Sequence, residues 1–200
     1  LLPGNQILLA GDTTVQISPS ILLVKLMRLN TDGSFDQLFG VSGKITFPNI
    51  NMLTNGLQID ANQNALVCGM IGGVNAVIRI KQNGSLDPNF GNIGVATGGA
   101  TNFVLINGGL VLSNGQSIVG GITSGVTPFQ TGCKSFDSQG VINNSFGTAG
   151  ITSIPKIGEE NILRAMAVQA DGKVILAGKR KAVSSINVSD FEVMRLNAAT

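Results

Sequence analysis

The 200-residue sequence contains no histidine, no tryptophan and no tyrosine. Without histidine, the chain has no imidazole for acid–base catalysis near neutral pH or for metal binding. A Ser-His-Asp triad of the usual kind is excluded for the same reason. The missing tryptophan and tyrosine also remove most of the aromatic surfaces on which sugar rings stack. These absences argue against an enzyme, and we expect no catalytic residue, no bound metal and no cofactor.

Charged residues are scarce as well. They form 12% of the chain, against about 25% in a typical soluble domain. The 13 basic and 11 acidic side chains leave a formal net charge of +2, which is too small for an electrostatic nucleic-acid binder. So few charges predict that much of the chain is buried sheet or packs against further copies of itself.

Cysteines and long apolar runs are few. Cys68 and Cys133 provide neither a disulfide framework nor the spacing of a metal site, so we predict buried free thiols. The longest apolar run, residues 21–27, is interrupted by Lys25 and is much shorter than the roughly 20 residues of a membrane-spanning helix. The chain begins LLPGNQ, without an initiator methionine or a signal-peptide pattern. We expect a mature piece or an excised segment with both ends inside a repeat.

What the sequence does contain is an internal repeat. A Phe-Gly pair recurs with spacings of 51 and 56 residues, at Phe39-Gly40, Phe90-Gly91 and Phe146-Gly147. It alternates with a short apolar run whose final glycines are Gly11, Gly69, Gly121 and Gly178. Such a period is typical of propellers, solenoids and arrays. We predict a single repeat domain over residues 1–200, with units of approximately 1–52, 53–102, 103–162 and 163–200, the last one incomplete.

Each unit is predicted to contain four short strands, which we label a to d. In the last unit, strand a lies in residues 166–172, strand b in 173–178 and strand c, after a variable loop, in 191–197. Strand d follows a tight Asp-Gly or Asn-Gly turn and runs through the Phe-Gly pair into residues 43–47 of the first copy. The predicted order along the chain is b-c, followed by d-a-b-c three times.

Two residues of opposite charge flank the hairpin turn in successive copies. The pairs are Arg28 with Asp36, Arg79 with Asp87 and, in the third copy, the neutral Ser135 with Asn143. Opposite residues of a hairpin lie about 4.5–5.5 Å apart at Cβ, which is close enough for an ion pair. We predict structural cross-strand ion pairs that a neutral pair replaces in copy three. Anion or substrate binding by the arginine is the alternative.

The repeat predicts a fold class. A four-stranded unit cannot bury both of its faces alone, and stacking such units around an axis solves this problem. We therefore predict an all-β protein, a β-propeller of tandem four-stranded antiparallel blades with about three and a half to four repeats in this chain. A β-solenoid-like array, which would need shorter coils, is the alternative.

The motif RLNxDGSxDxxFGxxG, followed by AVQxDGKxxxAG, resembles the delta-60 repeat family of bacterial β-propeller-like proteins. The first copy matches between Arg28 and Gly43, the second between Arg79 and Gly94, and the other half of the unit between Ala167 and Gly178. Copy three departs from the motif at Ser135, Val141 and Asn143. The resemblance implies a propeller fold within a larger surface or secreted protein, hence an extracellular or cell-surface location. It implies no characterised reaction.

Other candidate sites are weak. The aspartates that could suggest calcium are Asp12, Asp32, Asp60, Asp171 and Asp190. Each stands singly beside a turn, whereas a calcium site needs several clustered oxygen ligands, so turn chemistry is the favoured interpretation. The basic cluster Lys179, Arg180 and Lys181 is predicted to open a solvated loop, with contact to an acidic partner as the functional alternative.

We expect a non-enzymatic scaffold that presents variable loops for protein contacts. One alternative is a carbohydrate or small-ligand binding module, and another, by fold analogy alone, is a propeller hydrolase or lyase. The expected partners are another protein or further copies of the repeat, with no nucleic acid and no membrane span. Because a closed propeller needs at least about four blades, we expect an open arc or a ring that copies of the chain complete as a homo-oligomer.

Overall fold

A computed structural model describes residues 2–16, 21–99, 103–123, 129–154, 159–182 and 189–197. The strands are β1 (Ile7–Val15), β2 (Ile21–Leu29), β3 (Lys44–Ile59), β4 (Ala65–Ile71), β5 (Val74–Ile80), β6 (Val95–Thr97), β7 (Phe103–Val111), β8 (Ser117–Thr123), β9 (Thr131–Phe136), β10 (Ile151–Ile154), β11 (Glu159–Val168), β12 (Val174–Ala182) and β13 (Asp190–Leu196). A 3₁₀ turn at Pro3–Asn5 precedes them. Within these ranges there is no α-helix, and no helix is long and apolar enough to cross a membrane. The predicted all-β class is confirmed.

All pairings between these strands are antiparallel. The sheet orders are β1-β2-β3-β4-β5-β6, β10-β9-β8-β7 and β11-β12-β13. We call β1, β2 and residues 44–51 unit 1, residues 52–59 with β4 to β6 unit 2, β7 to β10 unit 3, and β11 to β13 unit 4. The strands follow one another along the chain in the predicted order, from b-c in unit 1 to a-b-c in unit 4.

Strand β3 serves two units, which the sequence did not predict. Its first part pairs with β2, from Met27 opposite Lys44 to Val24 opposite Phe47 and, after a bulge, at Leu23 opposite Asn51. Its second part pairs with β4, beginning at Met52 opposite Ile71. Strands d and a are therefore one continuous strand at this junction, whereas β6, the strand d of unit 2, ends at Thr97.

The turns between strands c and d are hairpins with three-residue loops. In unit 1, Gly33 N donates to Asn30 O at 3.0 Å, and Asn30 N donates to Ser34 O at 2.8 Å. Gly33 has a positive φ of 84°, as the last residue of such a loop usually does. Asp32 does not share this conformation and instead accepts a hydrogen bond from Ser34 N at 2.9 Å.

A second hairpin follows the Phe-Gly pair in each of the first three units, where the sequence predicted a strand. In unit 1, Val41 and Lys44 bond each other's backbones around Ser42-Gly43. Both turn residues have positive φ, 51° and 80°, which is the geometry of a type I′ turn. Strand d therefore begins after the Phe-Gly pair, at Lys44 in unit 1.

The core lies between successive units. In β4, Ala65 and Val67 pack toward unit 1, while Leu66 and Cys68 pack toward unit 3. Alternate side chains of a strand point to opposite faces of the sheet, so a middle strand that is covered on both sides is apolar throughout. A third cluster joins units 3 and 4, for example Ile118 with Leu163. Each of the three junctions between neighbouring units thus buries the apolar side chains that face each other there.

Candidate functional site

The repeated arginine joins two neighbouring units. Arg28 Nε lies 2.8 Å from Asp36 Oδ2, and the guanidinium lies over the Phe39 ring at 4.5 Å from its centroid. Arg28 Nη1 also donates to the carbonyl of Gln82 at 3.0 Å. Since Gln82 belongs to the c–d turn of unit 2, Arg28 fastens that turn to unit 1.

The second copy repeats this arrangement. Arg79 Nε lies 2.8 Å from Asp87 Oδ2, and its guanidinium lies 4.5 Å from the centre of the Phe90 ring. Arg79 Nη1 donates to the carbonyl of Ser138 in unit 3 at 2.7 Å. The two predicted ion pairs are therefore present. The stacking on phenylalanine and the bond to the next unit were not predicted.

The carboxylates of both pairs also cap the turn that follows them. Leu38 N donates to Asp36 Oδ1 at 3.0 Å, and this bond, together with the Arg28 charge, lowers the pKa of Asp36. Burial raises the pKa of Asp87, but the bond from Asn89 N and the neighbouring arginine outweigh it, so the pKa of Asp87 is lowered overall. Both carboxyl groups are held in their charged form.

The third copy lacks the ion pair. Ser135 Oγ accepts a hydrogen bond from Gln116 Nε2 at 2.7 Å, and Asn143 Oδ1 accepts one from Ser145 N at 3.2 Å. The backbone pairing of the hairpin is kept, because Asn143 N still donates to Ser135 O. The neutral side chains thus preserve the hairpin but bond to other partners.

The Phe-Gly pair is a packing element. The rings of Phe39, Phe90 and Phe146 are at most 2% exposed. The following glycines, Gly40, Gly91 and Gly147, have φ of 60°, 54° and 61°. A Cβ atom on them would lie 2.2, 2.3 and 2.1 Å from a backbone carbonyl oxygen. Both the conformation and the close approach require glycine.

The repeated glycine of strand b lies where a bulge interrupts its pairing with strand a in units 2 to 4. A Cβ atom at Gly69 or Gly121 would lie 1.9 Å from a carbonyl oxygen of the neighbouring strand a, and one at Gly178 would lie 2.2 Å away. At Gly11, no described atom lies within 4 Å. Position 11 thus carries the glycine that accommodates strand a in the other units, although the only described partner of β1 is β2.

The cysteines are structural, as predicted. Cys68 and Cys133 are free and buried in β4 and β9. Burial raises the pKa of each thiol to about 12. Because the thiolate is the reactive form, neither side chain is a nucleophile near neutral pH.

Four of the five aspartates accept hydrogen bonds from backbone N–H groups, whereas Asp190 lies beside the Arg180 side chain. Asp60 Oδ1 accepts from Asn62 N and Asn64 N, both at 2.8 Å, while Asp12 Oδ1 accepts from Thr54 N at 3.1 Å. Across the residues that the structure describes, no three His, Cys, Asp or Glu side chains form a group that could hold a metal ion.

The basic cluster does not lie in a loop, so that prediction is wrong. Lys179, Arg180 and Lys181 belong to β12, which pairs with β11 and β13. Arg180 lies between two carboxylates, 3.7 Å from Glu159 and 3.5 Å from Asp190. These acidic neighbours on the adjacent strands offset its positive charge.

A buried lysine was missed. Lys134 in β9 is 3% exposed, and its ammonium donates to the carbonyl of Gly98 in the previous unit. Burial lowers the pKa of this lysine. The other copies carry Met27, Ile78 and Met194 at this position, so the aligned repeats do contain a signal. Lys134 is a further polar contact between units.

A small cleft lies between units 1 and 2. Its volume is about 130 Å³. The apolar lining includes Leu8, Leu26, Phe39 and Ile80, and the polar lining includes Arg28, Gln63 and Lys81. The cleft therefore combines an apolar wall with two cationic side chains.

A comparison with known families supports the fold. The model of a β-propeller domain of unknown function (DUF5122) matches residues 3–39, 70–90 and 169–199. These segments include much of the b–c hairpins of units 1, 2 and 4. The match supports a β-propeller repeat family for this chain. No curated protein gives a significant match.

Proposed function

We propose that this chain is a non-enzymatic β-propeller scaffold that binds further copies of its own repeat at its end strands, β1 and β13. The repeated arginines support this proposal, because Arg28 and Arg79 each join one unit to the next. The delta-60 motif extends the proposal to a repeat protein of the bacterial surface or secreted fraction.

The observation that most directly supports this proposal is the open space at Gly11. Its three counterparts each face the carbonyl of a strand a, whereas no described atom lies within 4 Å of a Cβ placed on Gly11. Gly33 behaves in the same way: a Cβ on its counterpart Gly84 would lie 2.0 Å from Ile45 of the preceding unit, and Gly33 has nothing within 4 Å. Unit 1 thus retains one position shaped for a strand a, Gly11, and one shaped for contact with a preceding unit, Gly33.

Burial at the end strands supports the same conclusion. Leu9 of β1 is 42% exposed, whereas its counterpart Val67 is fully buried. Val193 of β13 is 54% exposed, whereas its counterparts Val77 and Cys133 are at most 1% exposed. Exposed apolar residues on strand edges favour association with another chain. A second copy of the repeat offers a matching edge and matching apolar faces.

Light scattering at several protein concentrations tests the proposal. We expect the molar mass to rise with concentration above that of one chain. The Gly11→Val variant should fold normally, since its side chain enters open space, but it should associate at least tenfold more weakly because the side chain blocks strand docking.

The matched control is Gly69→Val. The same substitution should unfold the chain or strongly destabilise it, because its Cβ would lie 1.9 Å from Leu53 O. A wild-type chain that stays monomeric at every concentration and binds no dye for exposed apolar surface would refute the proposal. Self-association that Gly11→Val leaves unchanged would refute the role of β1.

A further inference from the structure

The cleft between units 1 and 2 lies at a position where the equivalent residues between units 2 and 3 pack closely together. Ile80 and Phe136 are equivalent, since each directly follows the position of the repeated arginine. Phe136 is fully buried and packs in one cluster with Leu66, Val77 and Phe90. These three residues are the counterparts of the cleft residues Leu8, Leu26 and Phe39. The smaller Ile80 is fully buried as well and belongs to the inner lining of the cleft.

The polar lining also differs between the two interfaces. Lys81 and Asp137 are equivalent, because their backbone N–H groups make the same hydrogen bond across the c–d turn. Gln63 likewise occupies the position of Gly115 in the a–b turn. The first interface therefore presents two cations, Arg28 and Lys81, where the second has one cation and one anion.

Both cationic side chains have hydrogen-bond donors that could bind a ligand. Arg28 uses Nε for Asp36 and Nη1 for the Gln82 carbonyl, and no hydrogen bond from Nη2 occurs among the described residues. Lys81 Nζ lies 3.9 Å from Asp87 Oδ1, and its side chain is 41% exposed. Such an exposed ion pair contributes little. Lys81 can therefore turn toward a ligand without a large loss of stability.

We infer that this cleft binds a small monocarboxylate with an apolar body. The carboxylate lies between Arg28 and Lys81, and the apolar body lies against the partly exposed Leu2 and Leu8, with the buried Ile80 as inner lining. The volume of about 130 Å³ suits one ring or a short branched chain, because an apolar cavity of about 150 Å³ accommodates benzene. This site lies within one chain, so it does not depend on the proposed association of end strands.

An NMR titration of the full ¹⁵N-labelled chain with benzoate tests the site. We expect saturable shifts of the amide signals of Arg28, Gln63 and Lys81. Benzamide, which has the same size but no charge, should bind at least fivefold more weakly.

Two substitutions copy the chain's own second interface. Ile80→Phe fills the cleft with the residue found at position 136 and should weaken benzoate binding at least tenfold. Lys81→Asp introduces the residue found at position 137 and should weaken it at least fivefold. Lys179→Asp makes the same charge change in unit 4 and should leave the affinity unchanged.

Three results would overturn the inference: no saturable shift at these amides, benzamide binding as tightly as benzoate, or unchanged binding in a folded Ile80→Phe variant. If Ile80→Phe does not fold, Lys81→Asp decides the question. Its side chain is partly exposed, and an aspartate is already accommodated at the equivalent turn position.

Discussion

Ile93 has a β-branched side chain in a backbone conformation that favours glycine. It forms a two-residue turn with Gly94, and its φ is 51°. The equivalent residues Ser42 and Ala149 have the same φ. The left-handed conformation costs an L-residue about 1–2 kcal/mol, and a β-branched residue is the least suited to it. Ile93 is also 67% exposed, so little burial offsets this cost.

We predict that Ile93→Asn stabilises the chain by about 1 kcal/mol, because Asn-Gly is a preferred type I′ turn. The free energy of unfolding in urea measures the effect. Ile93→Val is the control: it keeps the β-branch and should bring no gain. A loss of stability in the asparagine variant would show that the exposed isoleucine makes a contact worth more than the strain.

Single residues were predictable from the sequence where two copies could be compared. The Arg28–Asp36 pair was predicted because both residues are symmetric about a turn. The bond from Arg28 to Gln82 was not, since it joins residues 54 positions apart and depends on how two units stack. The cleft depends on the same stacking, because its lining residues Leu8 and Ile80 belong to different units.

At the scale of elements, strand order was predictable and strand ends were not. Pro48 lies inside β3, and a proline in a central strand usually argues against a continuous strand. It is tolerated here because residues 48–50 form a bulge without partners in β2, between the pairs Val24–Phe47 and Leu23–Asn51. The turn at Ser42-Gly43 was missed since it lacks the Asn-Gly or Asp-Gly signature.

A double-mutant cycle on Arg79 and Asp87 tests the link between units 2 and 3. Either Arg79→Ser or Asp87→Asn alone should cost about 2–4 kcal/mol, because each leaves a largely buried charge without its partner. The double variant should cost at least about 1 kcal/mol less than the sum of the two single losses. Unit 3 keeps the same hairpin pairing with the neutral Ser135 and Asn143. Urea unfolding of the four proteins gives these values.

Arg180→Ser is the comparison for this cycle. Its side chain is 40% exposed beside Asp190, so its loss should cost less than about 1 kcal/mol. Additive effects at Arg79 and Asp87, within about 0.5 kcal/mol, would mean that the two side chains stabilise the interface independently.

For the whole molecule, stability should depend on pH mainly through carboxyl groups. The pKa values of Asp36 and Asp87 are lowered in the folded chain. A carboxyl group of this kind stabilises the fold above its unfolded pKa of about 3.9, and the contribution is lost as the pH falls through the folded value. The chain has no histidine, so no imidazole titrates between about pH 5 and 8.

We therefore predict a free energy of unfolding that is nearly constant between about pH 6 and 8 and decreases below about pH 4. Urea unfolding at several pH values measures this profile. The Arg79→Ser/Asp87→Asn variant should show a shallower decrease, because it lacks one of the two carboxyl groups. A loss of stability centred between about pH 5 and 7 would contradict this assignment.

The continuous strand β3 makes the two ends of the molecule unequal in how they open. In a linear array each unit is stabilised mainly by its nearest neighbours, and fraying begins at a terminus. Unit 4 can fray alone, because its described strands β11 to β13 pair only with one another. Unit 1 cannot, because residues 44–51 continue without a break into a strand of unit 2. Opening from the unit 4 end is a one-unit event, whereas opening from the unit 1 end disturbs two units together.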